Sequence, residues 1–220
     1  IDRSHASGLY EIVEGLARKA QLPMPKVYVV PQDSPNAFAT GRSYKTAAVA
    51  ATRGLLNDLS KEEIEAVMAH EITHIKNRDI LVSTLAAVIA SAIMHITAIA
   101  KWGMIFGFGR NDDSEGNGGL FTTILLIILA PIAAILIQSA ISRSREYMAD
   151  KGGKTLIGTG MPLANALRKI DSISKREQPM DAGPETAHMF IINPFSGRSM
   201  LTLFSTHPAT EDRIQKLIYE

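Results

Sequence analysis

Apolar residues follow three different rhythms along this chain, and each rhythm predicts a different kind of element. Between residues 7 and 21, Leu9, Ile12, Val13, Leu16 and Ala17 recur at helical spacing, with Glu11 and Glu14 ahead of Arg18 and Lys19 as a helix dipole favours. An amphipathic helix is predicted there. Lys26 to Val30, Asn36 to Thr40 and Thr46 to Thr52 are short β-prone runs, punctuated by Pro31, Pro35, Gly41 and Gly54, and predict a small sheet. Ser60 and Glu63 have the spacing of a capping box, in which each side chain satisfies a free backbone N–H at a helix start. A helix therefore begins near Ser60, turns Ile64, Val67 and Met68 to one face, and continues through His70 and His74.

The third rhythm is unbroken hydrophobicity. No residue is charged from Ile80 to Ala100, nor from Leu120 to Ile141. Each run would measure about 31 Å as a helix, enough to cross a bilayer. A soluble domain of this size rarely buries two such runs on every side, so they predict a transmembrane hairpin at about 80–141. Pro131 is tolerable in a membrane helix and predicts a kink. His95, inside the first run, reads as a core or interhelical polar contact rather than a ligand.

The Gly, Asn and Asp cluster between Gly109 and Gly119 predicts a flexible exposed loop joining the two spans. That connection carries two basic residues, Lys101 and Arg110, against seven near the outer ends: Lys61, Lys76, Arg78, Arg143, Arg145, Lys151 and Lys154. Positive charge favours the cytoplasmic side, so the outer ends face the cytoplasm. Beyond the spans, Leu163, Ala166, Leu167 and Ile170 predict a helix to Arg176, and residues 177–199 read as a surface loop. His207 and Pro208 open a last helix with Ile214, Leu217 and Ile218 on one side.

Charge changes this picture little: 23 basic and 22 acidic residues nearly cancel in 220, which sets a nucleic-acid partner aside. The absence of cysteine changes it more, because disulfides, thiolate metal sites and a cysteine nucleophile are all excluded. Any metal must be held by His, Asp or Glu. The chain opens at Ile1 without a basic-then-apolar leader.

His70-Glu71-Ile72-Thr73-His74 is a His-Glu-x-x-His pattern. Residues four apart share a helix face, so both imidazoles can bind one Zn²⁺ while Glu71 points toward the water held there. The helix is predicted from the capping box and periodicity, independently of the motif. A catalytic zinc takes three protein ligands and keeps a fourth position open. The hairpin returns Ser144 to Asp150 to the side the histidines left, so Glu146 is the expected third ligand. Asp150, one helical turn on, is placed to accept the spare ring N–H of a histidine, most naturally His70. Zinc there, one per chain, would polarise a scissile carbonyl and lower the pKa of its bound water to about 7. Glu71 would take the water proton and pass it to the leaving amine, with Tyr147 a further candidate near the reacting oxygen. A catalytically inactive zinc-binding membrane adaptor needs the same ligands but not Glu71, whose presence points to hydrolysis. A transporter or structural membrane protein bearing the motif by accident would hold no stoichiometric zinc.

His70 through Asp79, Asn36 through Gly41, Arg145 through Asp150, and Thr206 through Arg213 together resemble the HtpX family of bacterial membrane zinc proteases, with the CAAX prenyl protease a more distant relative. The likeness runs from near Ile1 to the C terminus. It implies a gluzincin-type site in an α+β fold, attached to the bacterial inner membrane and facing the cytoplasm, that degrades damaged or misassembled membrane proteins. It also implies that Asn36, Ala37, Phe38, Ala39 and Thr40 form a strand that pairs with substrate backbone, and that His207 and Arg213 help hold the oxyanion. The family carries two further N-terminal membrane segments, so the resemblance implies a portion of a longer protein. Thr73 stands where serine is common, and Lys154 where small residues are usual. The expected whole is one domain over 1–220: a small antiparallel sheet with flanking helices, interrupted by the hairpin.

Overall fold

The computed structural model describes residues 7–105, 118–176 and 208–220. Helix α1 (Ser7–Ala20) is followed by strands β1 (Lys26–Val30), β2 (Ala37–Thr40) and β3 (Ala48–Thr52). Then come α2 (Arg53–Asp58), α3 (Lys61–Asn77), α4 (Asp79–Ile105), α5 (Gly118–Ile157), α6 (Met161–Arg176) and α7 (Thr210–Tyr219). The class is α+β, as expected. The core lies between α1, α3, α6 and the inner face of the sheet, where Val13, Leu16, Val49, Leu55, Met68, Ile72 and Leu167 are fully buried. Each such side chain contributes about 1.5–3 kcal/mol by leaving water.

The sheet corrects one expectation, since it is mixed rather than antiparallel. Its order is β1-β3-β2, with β1 parallel to β3 (Val27 opposite Val49) and β2 antiparallel to it (Phe38 opposite Ala50). Pro31 and Pro35 flank the link between β1 and β2 and disfavour a tight hairpin; the link instead crosses the end of β3. It passes so near Gly54 that a Cβ there would sit 1.6 Å from Asp33 O, so only glycine lets the chain cross.

The capping box predicted for α3 is present: Ser60 N–H donates to Glu63 Oε2 at 2.8 Å and Glu63 N–H to Ser60 Oγ at 3.3 Å. The apolar runs become α4, of 27 residues, and α5, of 40, in which the second run and the Ser144–Asp150 segment form one continuous helix around Pro131. Both helices are long and apolar enough to cross a membrane, and within their most apolar stretches few of the described side chains are buried. They meet along one face, where Ala90, Ala134 and Ser139 are covered. His95 is not on that face. Its side chain is exposed, which corrects the expected core contact: a pair of helices has one shared face, and this residue lies off it. The final helix begins at Thr210, two residues after Pro208, and buries Ile214 and Leu217. The Gly109 to Gly119 loop, residues 177–199 and His207 lie, wholly or almost so, outside the described residues.

Candidate metal centre

Helix α3 carries His70 and His74 on one face, one turn apart, with ring centroids 4.6 Å from each other and the rings nearly perpendicular. Their Nε2 atoms are 3.0 Å apart. Glu146 reaches them from α5, Oε2 lying 3.7 Å from His70 Nε2 and Oε1 3.5 Å from His74 Nε2. The sequence-predicted ligand triad is thus brought together from two elements separated by the whole hairpin. Two glycines allow that approach. A Cβ on Gly152 would meet Thr73 Cγ2 at 2.3 Å, and one on Gly153 would meet the His70 backbone nitrogen at 3.1 Å.

Proton bookkeeping decides what this cluster can hold. His70 Nδ1 lies 2.8 Å from Asp150 Oδ1, and His74 Nδ1 lies 2.7 Å from Asp79 Oδ2. The Asp79 contact favours the His74 ring proton on Nδ1, while His70 Nδ1 lies near Asp150 without a well-formed hydrogen bond; the two Nε2 atoms and the Glu146 carboxylate face one point. Such an arrangement is repulsive unless a cation or a shared proton lies within it. Ligands on a tetrahedral divalent ion with bonds of about 2.0–2.1 Å stand about 3.3 Å from one another, close to the separations here. The residues fit a divalent metal ion.

Around the triad the side chains are buried and charged. Arg213 of α7, 2% exposed, donates from Nε and Nη2 to the two Asp150 oxygens at 2.8 and 2.7 Å, and its Nη1 lies 3.4 Å from Glu146 Oε2. Burial opposes its charge, but Asp150 and then Glu146 outweigh that effect and hold the guanidinium firmly protonated. These contacts all run to carboxylates on α5, the helix that carries Glu146. Glu71, next to His70 and 4% exposed, has its carboxyl pushed above the ordinary range, chiefly by burial; His74, His70 and the Ala39 N–H pull the other way.

That last contact places β2. Thr52 N–H donates to Asn36 O at 2.9 Å, so Asn36 and, by alternation, Phe38 bond to β3, while Ala37 and Ala39 turn their N–H groups to the outer edge. Asn36 Oδ1 takes the first of these at 2.9 Å and Glu71 the second. The predicted strand therefore lies with its outer edge along the Glu71 side of α3. Tyr147 faces α7, with Lys216 Nζ 5.2 Å from its ring centre. Lys154 also finds a partner, donating to Leu217 O at 3.0 Å near the end of α7, where a cation suits the helix dipole.

Two residues of this network escape a reading of the sequence alone. Asp79 follows His74 by five residues, a separation that a continuous helix would not bring together. Arg145 precedes Glu146 and donates from Nε and Nη2 to Asp79 Oδ1. Both stand inside the quoted motifs, but only the turn at Arg78 shows that they meet.

Residues 4–220 match peptidase family M48. The chain belongs to that family. A protease HtpX homolog from Desulfatibacillum aliphaticivorans is 54% identical over 218 residues, covering 99% of this chain and 70% of its own length. One of the same name from Thermococcus kodakarensis is 52% identical over 217 residues, covering 99% and 74%. The HtpX resemblance read from the motifs is borne out. A crystal structure of S. mikatae Ste24p superposes with a TM-score of 0.59 at 23% identity. The likeness covers 96% of this chain and 50% of that one, so the chain spans half the length of that protein and shares its fold.

Proposed function

We propose that this chain is the proteolytic portion of a membrane-anchored zinc metalloendopeptidase. The observation that carries the reading is the convergence of His70 Nε2, His74 Nε2 and the Glu146 carboxylate, with ligand atoms all within 4.8 Å of one another, beside a fourth buried side chain, Glu71. His and Glu donors without cysteine suit a catalytic zinc, one per chain. Zinc bound there supplies a Lewis acid and makes water a competent nucleophile near neutral pH. Glu71 takes the proton from the attacking water and returns it to the leaving amine. Asp150 holds His70, and Arg213 holds both Asp150 and Glu146, so Arg213 acts on the ligand set as well as lending positive charge near the reacting oxygen. His207 is the further candidate for that oxygen. The outer edge of Asn36 to Thr40 offers the extended surface on which a substrate backbone adds as a strand, displacing Asn36 Oδ1 and Glu71 from the Ala37 and Ala39 N–H groups.

The substrates are polypeptides, in particular damaged or misassembled membrane proteins. Support for the membrane comes from α4 and α5, where Leu85, Val88, Ile96, Ile99, Ile128 and Ile137 are all exposed, a surface too apolar for water but suited to lipid. The hairpin at about 80–141 interrupts a single peptidase domain, and the basic residues at its base put the active site on the cytoplasmic side of a bacterial inner membrane, in a multi-pass protein. The test is metal analysis and casein digestion with the detergent-purified chain. One zinc per chain, with cleavage abolished by a chelator and restored by zinc, is expected. Stoichiometric zinc without cleavage would identify an inactive adaptor, and no zinc at all would overturn the reading.

A further inference from the structure

Arg78 ends α3 in the left-handed region, at φ 56° and ψ 40°, a conformation that side chains with a Cβ disfavour. The turn is held in three ways. The Arg78 N–H bonds back to His74 O and Ile75 O, its guanidinium lies 4.7 Å from the Tyr44 ring centre, and Tyr44 Oη donates to Lys76 O at 3.1 Å. Because the chain turns at one residue and restarts at once as α4, Asp79 falls back beside His74, with Oδ2 2.7 Å from Nδ1. Asp79 Oδ1 accepts both Nε and Nη2 of Arg145, and the same Nη2 reaches Asn77 O at 3.2 Å. Arg145 is the residue before Glu146. A closed circuit therefore runs from His74 to Asp79, across to Arg145, and along α5 to Glu146, joining α3 to the bases of both apolar helices.

From this circuit we infer that Asp79 and Arg145 are a positioning pair for the metal site. Asp79 keeps the His74 proton on Nδ1 and its lone pair on Nε2, and Arg145 ties Asp79 to the turn of α5 that carries Glu146. The circuit thereby couples the place of Glu146 beside His74 to the packing of the two apolar helices at their base. His70 has a separate support, Asp150 with Arg213, which involves α5 and α7 but not α4. The site thus stands on two braces that share α5, one inside the peptidase core and one at the root of the hairpin. The inference rests on the metal reading above.

Asp79→Asn is the sharpest test, because an amide can satisfy only one neighbour. With its oxygen toward His74, its NH₂ meets the Arg145 donors; flipped, its NH₂ meets His74 Nδ1 and drives the ring proton to Nε2. Zinc affinity is measured by chelator competition on the chain with its hairpin in detergent, with the visible absorption of the Co²⁺ form as a second signal. Asp79→Asn and Arg145→Met are expected to weaken zinc about 10- to 100-fold while the far-ultraviolet circular dichroism is retained. Arg145→Lys, which keeps the charge but loses the fork, is expected to fall between and carries the test if Arg145→Met does not fold. Lys169→Met, which breaks the Glu63 pair elsewhere on α3, should leave affinity unchanged. Wild-type affinity in Asp79→Asn and the Arg145 variants would overturn the pair alone. A wild-type chain that takes up no zinc would overturn the metal reading and the pair with it.

Discussion

Gly152 of α5 lies against Thr73 of α3 so closely that a methyl group on the glycine would fall 2.3 Å from Thr73 Cγ2 and 2.9 Å from its Oγ1. Glu146 sits less than two turns upstream on α5, so this contact sets how near the third donor comes to the histidines. Gly152→Ala should push the helices apart, lowering stability by about 1–3 kcal/mol and weakening metal binding. Thr73→Ala in the same chain removes both clashing atoms and should recover much of each loss. Melting curves and zinc titrations of the single and double variants check this; a single variant as stable as the parent would show that the contact does not set the spacing.

Glu71 contributes no donor atom to the His70, His74 and Glu146 cluster. Glu71→Gln should therefore keep one zinc per chain while peptidase activity falls by about 10²- to 10⁴-fold or more, the range for losing a general base. Normal cleavage by this variant would remove Glu71 from the proposed mechanism.

The same side chain makes the metal-free chain sensitive to pH. Burial raises the Glu71 pKa in the folded state above its ordinary 4.5, so at intermediate pH the folded chain keeps a proton that the unfolded chain has released. Its stabilising contribution is complete below pH 4.5 and is lost as pH rises through the raised value. After chelation, Glu71→Gln should gain in melting temperature over the parent as pH goes from 4.5 to 7, while near pH 4.5 the two should differ least. A constant gap across that range would argue against the raised pKa.

Arg213 and Arg53 both pair with aspartate, yet their loss should differ greatly. Arg213 is buried between Asp150 and Glu146, and Arg213→Met strands two carboxylates away from water, at a cost of about 3–5 kcal/mol. Arg53 pairs with Asp33 at 2.6 Å on the surface, where solvent screens the charges, and Arg53→Met should cost under about 1 kcal/mol. Urea denaturation of the two variants measures the contrast. Equal losses would mean that the buried network does not support the fold.

Sequence alone determined the features that live within one element. The capping box at Ser60 starts α3, and the four-residue step from His70 to His74 places two imidazoles on one face, because a helix repeats the same geometry wherever it occurs. Helical spacing likewise paired Glu146 with Asp150, and unbroken hydrophobicity marked α4 and α5. Tertiary structure decided what depends on one element meeting another. Two prolines and a bare Gly54 turned an expected antiparallel sheet into a mixed one, and the single shared face of α4 and α5 left His95 exposed. Asp79 reached His74 only through the left-handed turn at Arg78, and Arg145 reached Asp79 only because two glycines let α5 settle onto α3. Such contacts depend on the direction in which each helix leaves its turn and on how closely two backbones can approach, and neither quantity is written into the periodicity of a chain.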